Sequence, residues 1–234
     1  MIAELERIVN KIIEDPLGVE SKKGHEYNYF DKPVPSVTTI LSKCIHEDYI
    51  VSWANYLGFK RIKYKDKLNE AAIAGTAGHN AVENYLKYNE IEDNIPLESF
   101  RLWWDMLNES NTVEILGIEE RLILPYCGGT YDILLSINGR IFLVDLKTSN
   151  HLSYKYFIQL AAYRHMLYKV KNMNIDGCII LQLDKNVASF NEQLLDFSID
   201  EHYQFIEHCA FTFMSLVAAF YNIHKAEYLW NKLF

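Results

Sequence analysis

Cysteine is scarce in this chain, with four among 234 residues. Cys44, Cys127, Cys178 and Cys209 stand far apart and form no CxxC pair. That spacing supports neither a zinc ribbon nor an iron–sulfur cluster, and reads as scattered structural thiols in a reducing cytosol. Long apolar runs are also missing. None approaches the roughly 20 residues of a membrane span, so a soluble chain without a membrane partner is expected. The opening MIAELERIVNKIIED lacks a charged start and a small-residue cleavage site, and no signal peptide is expected. A cytoplasmic location follows, in the host cytoplasm if the chain is viral. Positive charge is in short supply: 23 Lys and Arg stand against 31 Asp and Glu, a net charge of −8. Such a balance argues against broad contact with phosphate backbones. Repeats and low-complexity tracts are absent, which excludes solenoids and arrays.

What is present is unevenly spread. Half the residues are hydrophobic, enough for one domain with a helical extension. Lys60 to Lys67, KRIKYKDK, holds five basic residues and one acid. Glu90 to Asp132 holds ten acids against Arg101 and Arg121. The charge is segregated, so one local patch can still meet a phosphate backbone.

The element pattern reads as helices, three strands, a helix, two strands and a last helix. Residues 1–14 are amphipathic and helical. Pro16-Leu17-Gly18 breaks the pattern, and Ser21 to Gly24 is a polar loop. Tyr27 to Phe30 reads as a short strand and Asp31 to Pro35 as a turn. Ser36 is an N-cap for a helix over Val37–Ser42, and Asp48 caps another over Tyr49–Tyr56. A long helix is expected over Arg61–Lys87 with a break near Gly75, and a further one over Leu97–Asn108. Thr112 to Leu124 reads as two short strands hinged at Gly117. Asn138-Gly139 between Tyr131–Ile137 and Arg140–Leu146 signals a hairpin. Tyr154–Lys171 is helical, Cys178–Leu183 and Phe190–Phe197 are strands, and Ile199–Leu233 is mostly helix. The sum is an α/β fold, a mixed sheet with helices on its faces and an N-terminal helical section. That section is expected to span residues 1–74 and the core residues 75–234.

Candidate chemistry gathers on the hairpin. Asp132 stands near the start of its first strand. Asp145 and Lys147 end the second, on one face. A carboxylate at the end of so apolar a strand is costly unless something binds it. Asp145 and Lys147 by themselves suit a buried ion pair as well as a metal site, so the convergence of other residues decides. On the long helix, His79 and Glu83 are four apart and share a face, after a run of small residues that lets the helix lie close to the sheet. His79 offers a nitrogen to an ion held by Asp132 and Asp145. Gln159 and Tyr163, four apart on the next helix, suit packing or support of Lys147. Glu120 is a further acid at the sheet edge.

These motifs, GTAGHNAVE, GGTYD, VDLKTS and QLAAY in that order, resemble the RecB-like exonuclease branch of the PD-(D/E)xK nuclease superfamily. VPSVTTIL with Trp53 narrows the likeness to the mitochondrial genome maintenance exonucleases and their phage relatives. The likeness runs from about Pro33 to Lys169. It implies a restriction-endonuclease-like mixed sheet core and a metal-dependent DNA exonuclease of replication, repair or recombination. It implies His79, Asp132 and Asp145 as ligands of one or two Mg²⁺ or Mn²⁺ ions, and Lys147 beside the attacking water. Gln159 and Tyr163 are then the supporting pair. Many relatives carry Glu where Asp145 stands. Other relatives hold an iron–sulfur cluster, and the cysteines here do not fit that subgroup. In the resembled enzymes the N-terminal section covers the site, so a single strand is threaded beneath it. Lys60, Arg61, Lys63 and Tyr64, with Ser36, are the expected DNA contacts, and a solvated helix face is the equal alternative for the basic run. Partner proteins of replication or recombination fit this reading. An endonuclease of the same superfamily and a non-catalytic DNA-binding subunit stay open as alternatives. Retention of Asp132, Asp145 and Lys147 speaks against the second.

Overall fold

The computed structural model describes residues 2–13, 27–46 and 48–234. The expected break at Pro16–Gly18 and the loop at Ser21–Gly24 lie outside these residues, as does the side chain of the expected cap Asp48. In chain order the elements are α1 (Ile2–Ile13), β1 (Tyr27–Tyr29), β2 (Lys32–Val34), α2 (Val37–Cys44), α3 (Asp48–Phe59), α4 (Tyr64–Tyr88) and α5 (Ile95–Ser110). They continue as β3 (Val113–Leu124), β4 (Cys127–Ile137), β5 (Arg140–Lys147), α6 (Lys155–Lys171), β6 (Gly177–Leu183), β7 (Phe190–Asp196) and α7 (Asp200–Leu233).

Strands β3 to β7 form one mixed sheet in sequence order. β3, β4 and β5 are antiparallel neighbours, β5 and β6 are parallel, and β7 returns antiparallel to β6. A parallel step needs a crossover, and α6 supplies it. β5 lies at the centre and is buried on both faces from Phe142 to Leu146, which is why its sequence is apolar without alternation. One core lies between the sheet and α6, α7, α1 and α2, with Leu143, Cys178 and Ile180 facing it. The other lies under α4 and α5, with Phe142, Val144 and Leu146 facing it. The two-residue turn Asn138-Gly139 has φ of 52° and 79°, as the tight hairpin demands.

Local chemistry explains the helices that frame the site. Ser36 caps α2, its hydroxyl accepting from Thr39 N at 2.9 Å. Val37, Ile40 and Leu41 then bury one face of α2 in the first core. Ile2, Leu5, Val9 and Ile13, spaced three to four apart, turn one side of α1 to the same core. Ile206, Cys209, Phe213, Val217 and Phe220 do likewise for α7.

Several expectations change. α4 runs unbroken through Gly75 for 25 residues. Its glycines are contact points instead: a Cβ at Gly78 would meet Pro96 Cβ at 3.0 Å and Thr148 Cγ2 at 3.3 Å. Residue 74, the expected end of the N-terminal section, lies within α4, and α1 and α2 pack in the first core. The expected turn over Asp31–Pro35 contains β2, which pairs with β1. The expected pair of strands before Leu124 is one 12-residue strand, irregular between Ile115 and Gly117. The extra residue there, Leu116, shifts the register by one. α7 alone among the described helices is long and apolar enough, by length and composition, to cross a membrane. Its apolar stripe from Ile206 to Phe220 is packed in the first core.

Candidate active site

Register brings three acids from three adjacent strands into one row. Ile118 pairs with Ile133 and Glu120 with Tyr131, so Glu119 stands opposite Asp132. The β4–β5 ladder ends at Ile133–Val144, and the next step along it sets Asp132 beside Asp145. There the Asp132 carboxylate accepts from Leu146 N at 2.6 Å, replacing the ladder. His79, from α4, has Nδ1 3.7 Å from Asp132 Oδ2. Ligand atoms of His79, Glu119 and Asp132 all lie within 4.8 Å of one another, and the three residues are half-buried.

Asp145 is 1% exposed. Its close partner is Lys147 Nζ, 2.6 Å from Oδ2. Neither oxygen receives a well-directed hydrogen bond from the described residues. Burial holds the Asp145 carboxyl above its usual range, against the pull of Lys147. For Lys147, burial works against the charge, but Asp145 and Asp132 outweigh it and hold the ammonium above its ordinary value. Burial, then the charges of Asp132 and Glu83, push Glu119 up to about 8. A buried carboxylate held by one ammonium, in a row with two more acids, is a donor set that a cation would complete. The donor set of carboxylates and one imidazole fits a hard divalent ion.

Lys147 is held from several sides. Its Nζ donates to Gln159 Oε1 at 3.4 Å and lies 4.7 Å from the centre of the Tyr156 ring. Gln159 Nε2 donates in turn to Tyr163 OH at 3.2 Å. Burial, then Asp145 and Asp132, hold the Tyr163 phenol well above its ordinary value, so it stays a neutral donor and acceptor. Gly129 makes room for this ring, because an added Cβ would sit 2.4 Å from Tyr163 Cε1.

The other expected site residues lie elsewhere. Glu83 is paired with Lys87 at 2.7 Å, near enough for its charge to reach Glu119. Glu120 is ion-paired to Lys171 on α6. Ser36 bridges to Gly128 at the start of β4 and bonds Thr38 and Thr39. Lys60, Arg61 and Lys63 are exposed at the α3–α4 turn. Tyr64 packs edge-on against Trp53 at 5.4 Å. Glu119 was the acid that sequence reasoning missed. It joins the trio because Leu116 shifts β3 by one residue, and no composition signal marks that shift.

No protein-family model and no curated protein matches the chain. Solved structures are distantly similar. The crystal structure of SSO0001 matches with 16% identity and a TM-score of 0.38, over 92% of this chain and 86% of that one. A phage-related exonuclease from Haemophilus somnus 129PT matches with 13% identity and a TM-score of 0.33, over 64% of this chain and 82% of that one. An alkaline exonuclease from Laribacter hongkongensis matches with 12% identity and a TM-score of 0.30, over 66% of this chain and 84% of that one. Scores this low leave the functional reading to the site itself.

Proposed function

We propose that the protein is a metal-dependent nuclease of PD-(D/E)xK type that hydrolyses DNA phosphodiester bonds from single-stranded ends, in replication, repair or recombination. The observation that carries this is Asp145, a buried carboxylate without directed donors, in a row with Asp132 and Glu119. His79, Glu119, Asp132 and Asp145 would hold one or two Mg²⁺ or Mn²⁺ ions. A bound ion of this kind polarises a phosphoryl oxygen and lowers the pKa of water. Asp132 is fixed for this role by Leu146 N. Lys147 supplies a fixed positive charge where negative charge gathers on the phosphoryl oxygens. Gln159 and Tyr163 hold that charge in place and exclude bulk water from behind it. The hydrolytic chemistry itself needs no base-reading element, because the acid row and Lys147 act on the phosphate.

The single-strand preference rests on α3 and the first half of α4. Tyr56 is 60% exposed and Phe59 is 92% exposed, next to Lys60, Arg61 and Lys63. Bare rings beside cations grip an unpaired strand by stacking and phosphate contact. In this reading the section that covers the site includes residues 48–74.

The test is an end-labelled assay with linear single-stranded, blunt duplex and covalently closed circular single-stranded DNA. The expected result is metal-dependent shortening of the linear single strand, slow attack on the duplex, no attack on the circle, and no activity in EDTA. Activity in EDTA, or none with any metal, contradicts the nuclease reading. Rapid cutting of the circle contradicts threading and favours an endonuclease.

A further inference from the structure

The acid row does not exhaust this end of the sheet. Beyond the C-terminal ends of β5 and β6 lies a cleft of about 340 Å³. One wall is the loop after β5, with Thr148 and Asn150. The other is the β6–β7 hairpin, with Gln182, Lys185, Asn186 and Asn191. Thr148 directly follows Lys147, so the cleft begins about 3.8 Å along the backbone from the residue assigned to the scissile phosphate. The same threonine lies against α4 at Gly75, one turn before His79, and at Gly78, next to it.

The walls are tied together. Gln182 Nε2 donates to Ser149 O at 2.6 Å, and Asn191 Nδ2 donates to Gln182 Oε1 at 3.3 Å. Asp184 Oδ1 accepts from Asn186 N at 2.7 Å and Val187 N at 3.1 Å, which fixes the hairpin tip. These bonds occupy Gln182. Among the described residues they leave the side-chain amides of Asn150 and Asn186 and the carbonyl of Asn191 open to a ligand.

We propose that this cleft is a nucleotide subsite. It takes one unpaired nucleotide of the substrate strand adjoining the scissile phosphate, which rests on the nuclease reading above. Amides offer donors and acceptors together, as base edges require. Lys185 at the rim suits a neighbouring phosphate. The volume lies at the lower end for ligand pockets, room for a single nucleotide and not for a duplex. A polar lining recognises the base edge by hydrogen bonds, in contrast to the ring-bearing α3–α4 turn, where stacking is indifferent to the base.

The experiment walks one abasic site along a single-stranded oligonucleotide, position by position from the cut. Binding is read by fluorescence anisotropy in EDTA and cleavage by gel in Mn²⁺. Wild type is compared with Asn186→Ala/Asn191→Ala and, separately, with Lys185→Glu, which changes only the cleft rim. Wild type should lose about tenfold in affinity at one position within two nucleotides of the cut, the worth of one to two hydrogen bonds. The double variant should bind intact DNA about tenfold more weakly and show no further loss at that position. Lys185→Glu should weaken binding of every substrate in low salt. Equal losses in wild type and double variant at every position overturn the subsite, as does the lack of any sensitive position. If wild type cleaves no DNA with metal, the nuclease reading falls and the subsite with it. Cleavage without a cleft-dependent position overturns the subsite alone.

Discussion

Two carboxylates on this sheet each have a basic partner, and they are opposites. Asp196, at the end of β7, is gripped by Arg140 through Nη1 at 2.8 Å and Nη2 at 2.6 Å. Ser198 adds its backbone N at 2.8 Å and its hydroxyl at 2.7 Å. The Arg140 contact, then Ser198, hold that carboxyl far below its usual range. Four directed donors reach the group, three of them at Oδ1 and one at Oδ2. Asp145 has its ammonium at 2.6 Å but no well-directed donor, and burial drives its carboxyl upward. A filled, partly exposed pair serves structure. A buried acid with open lone pairs, in line with two more acids, is built to take a cation.

The largest effect expected from breaking this contrast is in Asp145→Asn. Cleavage should fall by on the order of 10³-fold or more while the circular dichroism spectrum stays native, since the residue acts on the metal and the transition state together. A folded variant that cuts at wild-type rates removes Asp145 from the site.

Lys147→Ala comes next. Its charge acts on the developing phosphoryl charge, so turnover at saturating metal should fall by about 10²–10³-fold. Metal affinity should fall far less. The reverse pattern, weak metal binding with normal turnover, would make Lys147 a structural counter-ion.

Glu119 sharpens the comparison through pH. Its carboxyl, raised to about 8, stays protonated in the metal-free protein below that pH. A metal must then displace a proton, so apparent affinity should climb nearly tenfold per pH unit from 6 to 8 and level off above. Glu119→Gln should lower affinity at least about tenfold at pH 8 and flatten that slope. An unchanged slope in the variant, followed by calorimetry, would assign the proton elsewhere.

The smallest effect belongs to the filled pair. Asp196→Asn should cost about 0.5–1 kcal/mol of stability, as a partly exposed bidentate pair does. Nuclease turnover should not change. A loss of activity matching that of Asp145→Asn would erase the distinction between the two carboxylates.

Much of this was legible in the sequence because the hairpin sets its own register. Asn138-Gly139 between two apolar runs fixes the β4–β5 pairing, and with it the meeting of Asp132 and Asp145. The i, i+4 spacing likewise puts Gln159 and Tyr163 on one face of α6. Parity along β3 was not legible. Leu116 adds a residue to one strand only, and without it neither Glu119 nor Glu120 can be placed on a face. The glycines of α4 misled for a related reason: Gly75 suggests a break, yet its value lies in contact with Thr148, far away in sequence. The nucleotide cleft is formed by loops from two separate crossings of the sheet, and no local pattern announces it.

The measurement closest to the central claim needs no DNA. Mn²⁺ titrated into the metal-free protein, followed by electron paramagnetic resonance and calorimetry, compares wild type with Asp145→Asn and Glu119→Gln. The account predicts saturable binding to wild type and marked weakening in both variants, with Asp196→Asn binding like wild type. Equal binding by all four proteins, or no binding by any of them, would contradict it.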